Sequence, residues 1–343
     1  MIRRLLLKIT IFVVGLGLLL NGLGCLSDKI APVNEWYQGA KQDYVNLILH
    51  KDKIQALSVG NSHSGSIDFD TLGIEGQFLT RAGADLFEVE RHIASVEDSL
   101  PALKTVFIAL SYYSFSRDNA TLDNLKTVRI ELYAALPVWK PVNGDEGNLV
   151  LGKLHKVSRL MSVVRPDHWH DIFLNERGFS VLFDSPTELN IVSQEQSNPC
   201  PYLTPEKQES HAREIAGKNV VSSRAMAASH PGLAEDTFEA LGKTIERLRA
   251  KGIEVILYTP PYYEAYTSHF MAQGSDITDQ MHKVIRSLQE KYQVNYYDFS
   301  DDPNLITHPE FFINSDHLNN CGRKVFSEHL LKTLEGTTSS ARP

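Results

Sequence analysis

The sequence predicts an α/β fold, a three-layer α/β/α arrangement around a mainly parallel sheet. Two observations carry this. Short apolar runs recur along the 343-residue chain, at Ile54–Val59, Val106–Leu110, Ile253–Tyr258 and Val294–Asp298. Runs of this length and composition read as strands, mostly buried. Helical segments alternate with them, so the strands are joined by crossovers and the sheet is parallel and covered on both faces. A third observation bears on function. Each run stops in polar or turn-forming residues, and a parallel sheet puts all its carboxyl edges on one side, where α/β folds keep their ligands.

The elements follow in order. Residues 27–50 read as an exposed connector ending in a short helix over Glu35–Leu49. After the first strand, Leu86, Phe87, Val89, Ile93 and Val96 repeat near 3.6 residues and predict an amphipathic helix over Ala84–Val96. A helix over Leu122–Leu136 follows the second strand and is closed by Pro137. Residues 137–205 carry Pro137, Pro141, Pro166, Pro186, Pro199 and Pro201 and a helical piece over Leu149–Val164. They read as an irregular insertion that covers or borders a site. Pro205–His230 is polar and helical. Asp236–Lys251 has Phe238, Leu241, Ile245 and Leu248 on one face and Gly252 as its stop. Helices over Asp279–Tyr292 and Cys321–Leu334 complete a domain spanning 51–335, with a flexible tail at 336–343.

Hydrophobic residues make up 42% and charged residues 22% of the chain, which suits a packed core. The net charge of −8 and the lack of a long basic run argue against a nucleic-acid partner. The amino terminus places Arg3, Arg4 and Lys8 before an apolar stretch from Ile9 to Leu20 that continues weakly to Leu26. Residues 1–26 are therefore expected to be a signal anchor or a signal peptide. With Arg3 and Arg4 cytoplasmic, the rest faces the periplasm or the exterior, held at the inner membrane. Secretion after cleavage, or lipidation at Cys25, are the alternatives. In an oxidising compartment Cys200 and Cys321 either pair or remain two buried thiols.

Four strand ends converge on the expected edge: Gly60-Asn61-Ser62, Ser111-Tyr112-Tyr113, Thr259-Pro260-Pro261 and Asp298-Phe299-Ser300. The last loop adds Asn314, Asp316 and His317. A serine on the first edge and a histidine on the last loop supply a nucleophile and its base, which serine needs at neutral pH. On these residues the chain resembles the SGNH/GDSL hydrolase superfamily, over roughly 50–120 and 235–335. Gly60-Asn61-Ser62 is similar to the family's Gly-Asp-Ser, and His317 with Gly322 shortly after is similar to its closing Asp-x-x-His block. Ser111-Tyr112-Tyr113-Ser114 and the Pro260-Pro261 segment resemble a bacterial envelope branch related to polysaccharide O-acetyltransferase and esterase proteins.

The resemblance implies a flavodoxin-like sheet order, Ser62 as nucleophile, His317 as base, and an oxyanion hole from the Ser62 N–H and Gly83. Ser111 stands near the family's third-block asparagine. Asn314 stands where the family has Asp. Three outcomes are open there. Asn314 orients His317 at a lower rate, Asp316 does so through a non-helical turn, or the site is degenerate. Asn61, His63, Tyr112 and Tyr113 are candidate substrate contacts. Asp298 is a candidate carboxylate at the site edge. In a strand His168 and His170 would share one face, but no third ligand is evident, so a surface loop is expected and no metal or cofactor.

The implied activity is a serine esterase or O-acyltransferase on acyl, most simply acetyl, groups of a cell-envelope glycan or a small ester. The alternative is a catalytically degenerate glycan-binding or envelope-assembly protein.

Overall fold

The structure, a computed structural model, describes residues 3, 8–12, 14–16, 18–19, 43–44, 46–122, 126, 129–130, 133, 151 and 200–340. The insertion at 137–205 therefore lies outside the described residues apart from 151 and 200–205, as do His168 and His170. Among the described residues no helix is long and apolar enough to cross a membrane. The apolar amino-terminal run falls only partly within them.

Five strands form the sheet: β1 (Ala56–Gly60), β2 (Gly76–Thr80), β3 (Thr105–Ala109), β4 (Glu254–Thr259) and β5 (Asn295–Asp298). Their order is β2-β1-β3-β4-β5 and every pair is parallel. This is the flavodoxin-like order, whose switch point falls between β1 and β3. β2 is the strand that the sequence pattern does not reveal. Its GQFLT stretch sits at the sheet edge and is largely half-buried, so it lacks the apolar run of a central strand.

Side chains alternate across the sheet because successive Cβ atoms point to opposite faces. Leu57, Val59, Val106, Ile108, Val255 and Leu257 enter one core. There they meet α2 (Leu86–Val96), α3 (Pro205–Ser229), α4 (Leu233–Ala250) and α5 (Glu264–Tyr292), numbered after the short α1 (Phe69–Leu72). Ala56, Phe107, Ala109, Ile256 and Tyr258 enter the other, with Phe69 of α1, Leu305 of α6 (Pro303–Ile306), and Phe326 and Leu330 of α7 (Asn320–Ser340). The three layers are those expected from the strand–helix alternation.

Several boundaries differ from those the sequence predicts. α5 begins at Glu264 rather than Asp279, with a non-helical residue at Gly274. α7 runs on to Ser340. A hairpin, β6 (Phe312–Asn314) and β7 (His317–Leu318), lies outside the main sheet, with Asn314 opposite His317. Cys200 and Cys321 form a disulfide, Cα–Cα 5.6 Å, across 121 residues of sequence. It ties the segment leading into α3 to the first turn of α7, beside the hairpin.

The first turn of α7 is seated by Gly322, whose N–H donates to Asn319 Oδ1 at 3.0 Å. A Cβ there would stand 2.1 Å from the backbone oxygen of Phe311. Gly322→Ala is expected to destabilise by about 1–3 kcal/mol, since backbone must move to admit the methyl group. Gly336→Ala, in the same helix with nothing within 4 Å, is expected to stabilise slightly. Urea denaturation of the two variants checks the contrast. Replacing both Cys200 and Cys321 by Ala is expected to cost about 2–4 kcal/mol by the same measurement, because the cross-link restricts the unfolded chain.

Candidate active site

The site begins where β1 runs out. A Cβ on Gly60 would come within 3.1 Å of both Ala109 Cβ and Ser64 Cβ, closer than side chains ordinarily pack, so glycine gives the chain room to turn here. It enters a 3-10 turn over Ser62–Ser66. Asn61 caps that turn: its Oδ1 accepts the His63 N–H at 3.0 Å and its backbone oxygen accepts the Ser64 N–H at 3.0 Å. Ser58 Oγ donates to Ser64 O at 2.7 Å and pins the turn to β1. Ser62 thus sits at the carboxyl edge. Its own N–H precedes the first hydrogen bond of the turn, so the turn itself does not use it.

The hairpin delivers the other half. Tyr263 N–H donates to Ser315 O at 3.0 Å, tying it to the exit of β4. Gln208 of α3 donates to Phe312 O at 3.1 Å, and His211 Nδ1 lies 2.8 Å from Ser315 Oγ. Held this way, His317 brings Nε2 to 2.7 Å from Ser62 Oγ. Its Nδ1 faces two acceptors, Asn314 Oδ1 at 2.9 Å and Asp316 Oδ1 at 3.0 Å.

That geometry bears on the alternatives at Asn314. A helical turn would carry Asp316 away from His317, but the hairpin turn brings them together. Asn314 Oδ1 also accepts the Asp316 N–H at 3.3 Å, so it shapes the turn. The carboxylate is the stronger partner for a ring that gains charge. Burial alone would raise the Asp316 pKa. The hydrogen bond from His317, together with the approach of the His63 ring, outweighs it and holds the carboxyl far below the usual carboxylate range.

The other candidates fall into two groups. His63 lines the cleft, but its neighbourhood is not that of an extended chain, because the 3-10 turn swings it beneath His317, ring centroids 4.8 Å apart. The remaining six do not line the cleft. Asn61 is buried and spent on the turn and on Ser111, whose Oγ lies 2.7 Å from Asn61 Nδ2. Ser111 Oγ also lies 2.7 Å from His63 Nδ1, so this side chain faces the turn's interior. Tyr112 and Tyr113 are buried in the core, with Tyr112 against Tyr262 and Phe270 and Tyr113 against Phe270. As substrate contacts Asn61, Tyr112 and Tyr113 are therefore corrected: packing and hydrogen bonding consume them. Gly83 lies on the turn after β2, at the same sheet edge, and its carbonyl accepts Asn119 Nδ2 at 3.0 Å. Asp298 accepts the Ser300 N–H at 3.0 Å and ends its strand in a turn.

Sequence reasoning missed three contributors. Pro201 reaches the cleft through the disulfide beside it, and Asn319 donates to its carbonyl at 3.1 Å. Arg323 of α7 lines the cleft and donates Nε to Gly65 O, backing the nucleophile turn. His211 braces the hairpin from α3. No local motif marks any of these, although Cys200-Pro201 is a signal once the disulfide is known. The cleft is about 410 Å³, with Pro201, Pro260, Pro261, Ile313 and Leu318 as apolar walls beside Ser62 and His317. Among the described residues, His63, Asp316 and His317 also bring ligand-type atoms within 4.8 Å of one another. A metal held there would take the very atoms that orient His317.

A hydroxyl, an imidazole and an ionised carboxylate in line can generate a serine nucleophile. Asp316→Ala is expected to lower kcat for ester hydrolysis by about 10³–10⁴-fold. Asn314→Ala is expected to cost about tenfold or less, since it removes a neutral acceptor. Steady-state turnover of p-nitrophenyl acetate separates the two.

No protein-family model matches the chain, and no curated protein matches it. Among solved structures, one described as a "putative acylhydrolase" from Bacteroides fragilis NCTC 9343 aligns over 85% of this chain and 96% of that chain, at 10% identity and a TM-score of 0.38. A likeness that distant decides nothing about the chemistry of Ser62 and His317.

Proposed function

We propose that this chain is a serine esterase or O-acyltransferase of SGNH/GDSL type, acting on acyl groups of a cell-envelope glycan from the outer side of the inner membrane. The observation that carries the reading is the 2.7 Å contact between Ser62 Oγ and His317 Nε2, with an ionised Asp316 behind the ring. In this mechanism His317 takes the Ser62 proton as Oγ attacks the acyl carbonyl. The Ser62 N–H, free of the turn, supports the oxyanion. His317 then returns the proton to the departing alcohol, leaving acyl-Ser62. Water completes hydrolysis, or a sugar hydroxyl completes transfer; both share the same first half.

The surroundings suit this chemistry. The proline-rich walls offer no N–H at Pro260 and Pro261, which fits an apolar acyl group better than a polar one. The Cys200–Cys321 disulfide fits an oxidising compartment, as does the basic-then-apolar amino terminus.

A fluorophosphonate probe is expected to label wild-type protein, and Ser62→Ala is expected to abolish labelling. Mass spectrometry of the adduct locates it. Labelling that persists in Ser62→Ala would overturn the mechanism, and a folded wild-type protein that neither labels nor turns over esters would leave only a binding role.

A further inference from the structure

His63 follows the proposed nucleophile directly in sequence, yet the proton path between Ser62 and His317 does not use it. It is buried, with 3% of its surface exposed, and both ring nitrogens meet polar groups. Nδ1 lies 2.7 Å from Ser111 Oγ and 3.4 Å from Tyr262 Oη. Nε2 lies 3.5 Å from Asp316 Oδ2, the only carboxylate within 4 Å of the ring nitrogens among the described residues.

The direction of each bond can be worked out from both ends. Asn61 Oδ1 accepts the His63 N–H, so Asn61 Nδ2 must be the group that donates to Ser111 Oγ. Ser111 Oγ then keeps its own proton and a second lone pair, so it can meet His63 Nδ1 either as donor or as acceptor, and the choice falls to the other end of the ring. From the other end, an ionised carboxylate only accepts. Nε2 must carry hydrogen to face Asp316, because a bare nitrogen there would set a lone pair against an anion. Burial lowers the His63 pKa, with the Asp316 bond opposing, so the ring is neutral and has one proton to place. The carboxylate puts it on Nε2, and Ser111 O–H then donates to the bare Nδ1.

We propose that His63 is a positioning residue for the nucleophile system, donating Nε2–H to the outer oxygen of Asp316 while Ser111 locks its tautomer. This inference rests on the proposed serine mechanism. The result is a chain of uniform polarity in two arms that meet at one carboxylate. One arm runs from Asn61 through Ser111 and His63 to Asp316 Oδ2. The other runs from Ser62 through His317 to Asp316 Oδ1. With a donor on each oxygen, the carboxylate has no reason to rotate away from His317. The 3.5 Å separation is long for a resting bond, and such contacts shorten when charge develops in the transition state. It also accounts for Ser at position 111. There the hydroxyl serves His63, not the oxyanion.

The test is a double-mutant cycle on the full chain, read by p-nitrophenyl acetate turnover and by the rate of fluorophosphonate labelling. His63→Phe keeps bulk and removes both bonds. It is expected to lower kcat about 10- to 100-fold, the effect of one lost hydrogen bond to a charged group, with KM held within about threefold. On an Asp316→Asn background the same change is expected to cost less than about twofold, because its effect passes through the carboxylate. Equal losses on both backgrounds, or a change confined to KM, would overturn the proposal. Melting temperature and near-UV circular dichroism verify the fold of each variant. Where His63→Phe does not fold, Ser111→Ala leaves the ring in place and removes only the tautomer lock, and the same two-background pattern is required of it. Absence of labelling in the wild type would instead overturn the serine mechanism itself.

Discussion

One buried carboxylate organises this site. Asp316 is almost withdrawn from water, and an isolated charge there would cost several kcal/mol. It stays ionised because imidazoles approach both of its oxygens. Each of those rings needs its own support, and the support reaches in two directions. His317 depends on the β6–β7 hairpin and its ties to Tyr263, Gln208 and His211. His63 depends on the 3-10 turn after β1 and on Ser111 at the end of β3. The carboxylate therefore joins two sheet ends and a hairpin, drawn from opposite ends of the described chain, with Ser62 and His317 separated by 255 positions.

The sheet makes that meeting possible. In the order β2-β1-β3-β4-β5 the carboxyl ends of β1 and β3 are neighbours across the switch point. Asn61 and Ser111, which follow those two strands, can then hydrogen-bond directly. The hairpin comes in over the exit of β4, with Pro260 and Pro261 between them forming one wall of the cleft. The disulfide adds a second brace. By fastening Cys200 to the start of α7, it sets Pro201 against Asn319, two residues past His317.

Tyr112 and Tyr113 illustrate why strand-end aromatics mislead. From the sequence they flank a polar edge and stand as candidate substrate contacts. In the fold they join Tyr262, Tyr266 and Phe270 in a core cluster, because the chain after β3 turns inward against α5. Asn61 misleads in the opposite way. It stands next to the nucleophile, and a contact with substrate is the natural expectation, yet its hydrogen bonds go into shaping the turn and holding Ser111. Adjacency to a reacting residue in sequence says little about which way a side chain faces when the backbone leaves the extended form.

Local pattern alone determined a good deal. The apolar runs at β1, β3, β4 and β5, their alternation with helices, and the pairing of a glycine-flanked Ser62 with a distant His317 were all legible, since each depends on short-range periodicity or on residue chemistry. What pattern could not carry was the partner of His317. That choice turned on whether residues 314–317 form a helical turn or a hairpin, and so short a segment holds too little local preference to decide it. The hairpin exists because Tyr263, Gln208 and His211 satisfy its backbone and turn, and they come from remote parts of the chain. The edge strand β2 and the Cys200–Cys321 bond were decided the same way, by contacts that exist only once the sheet has brought their partners together.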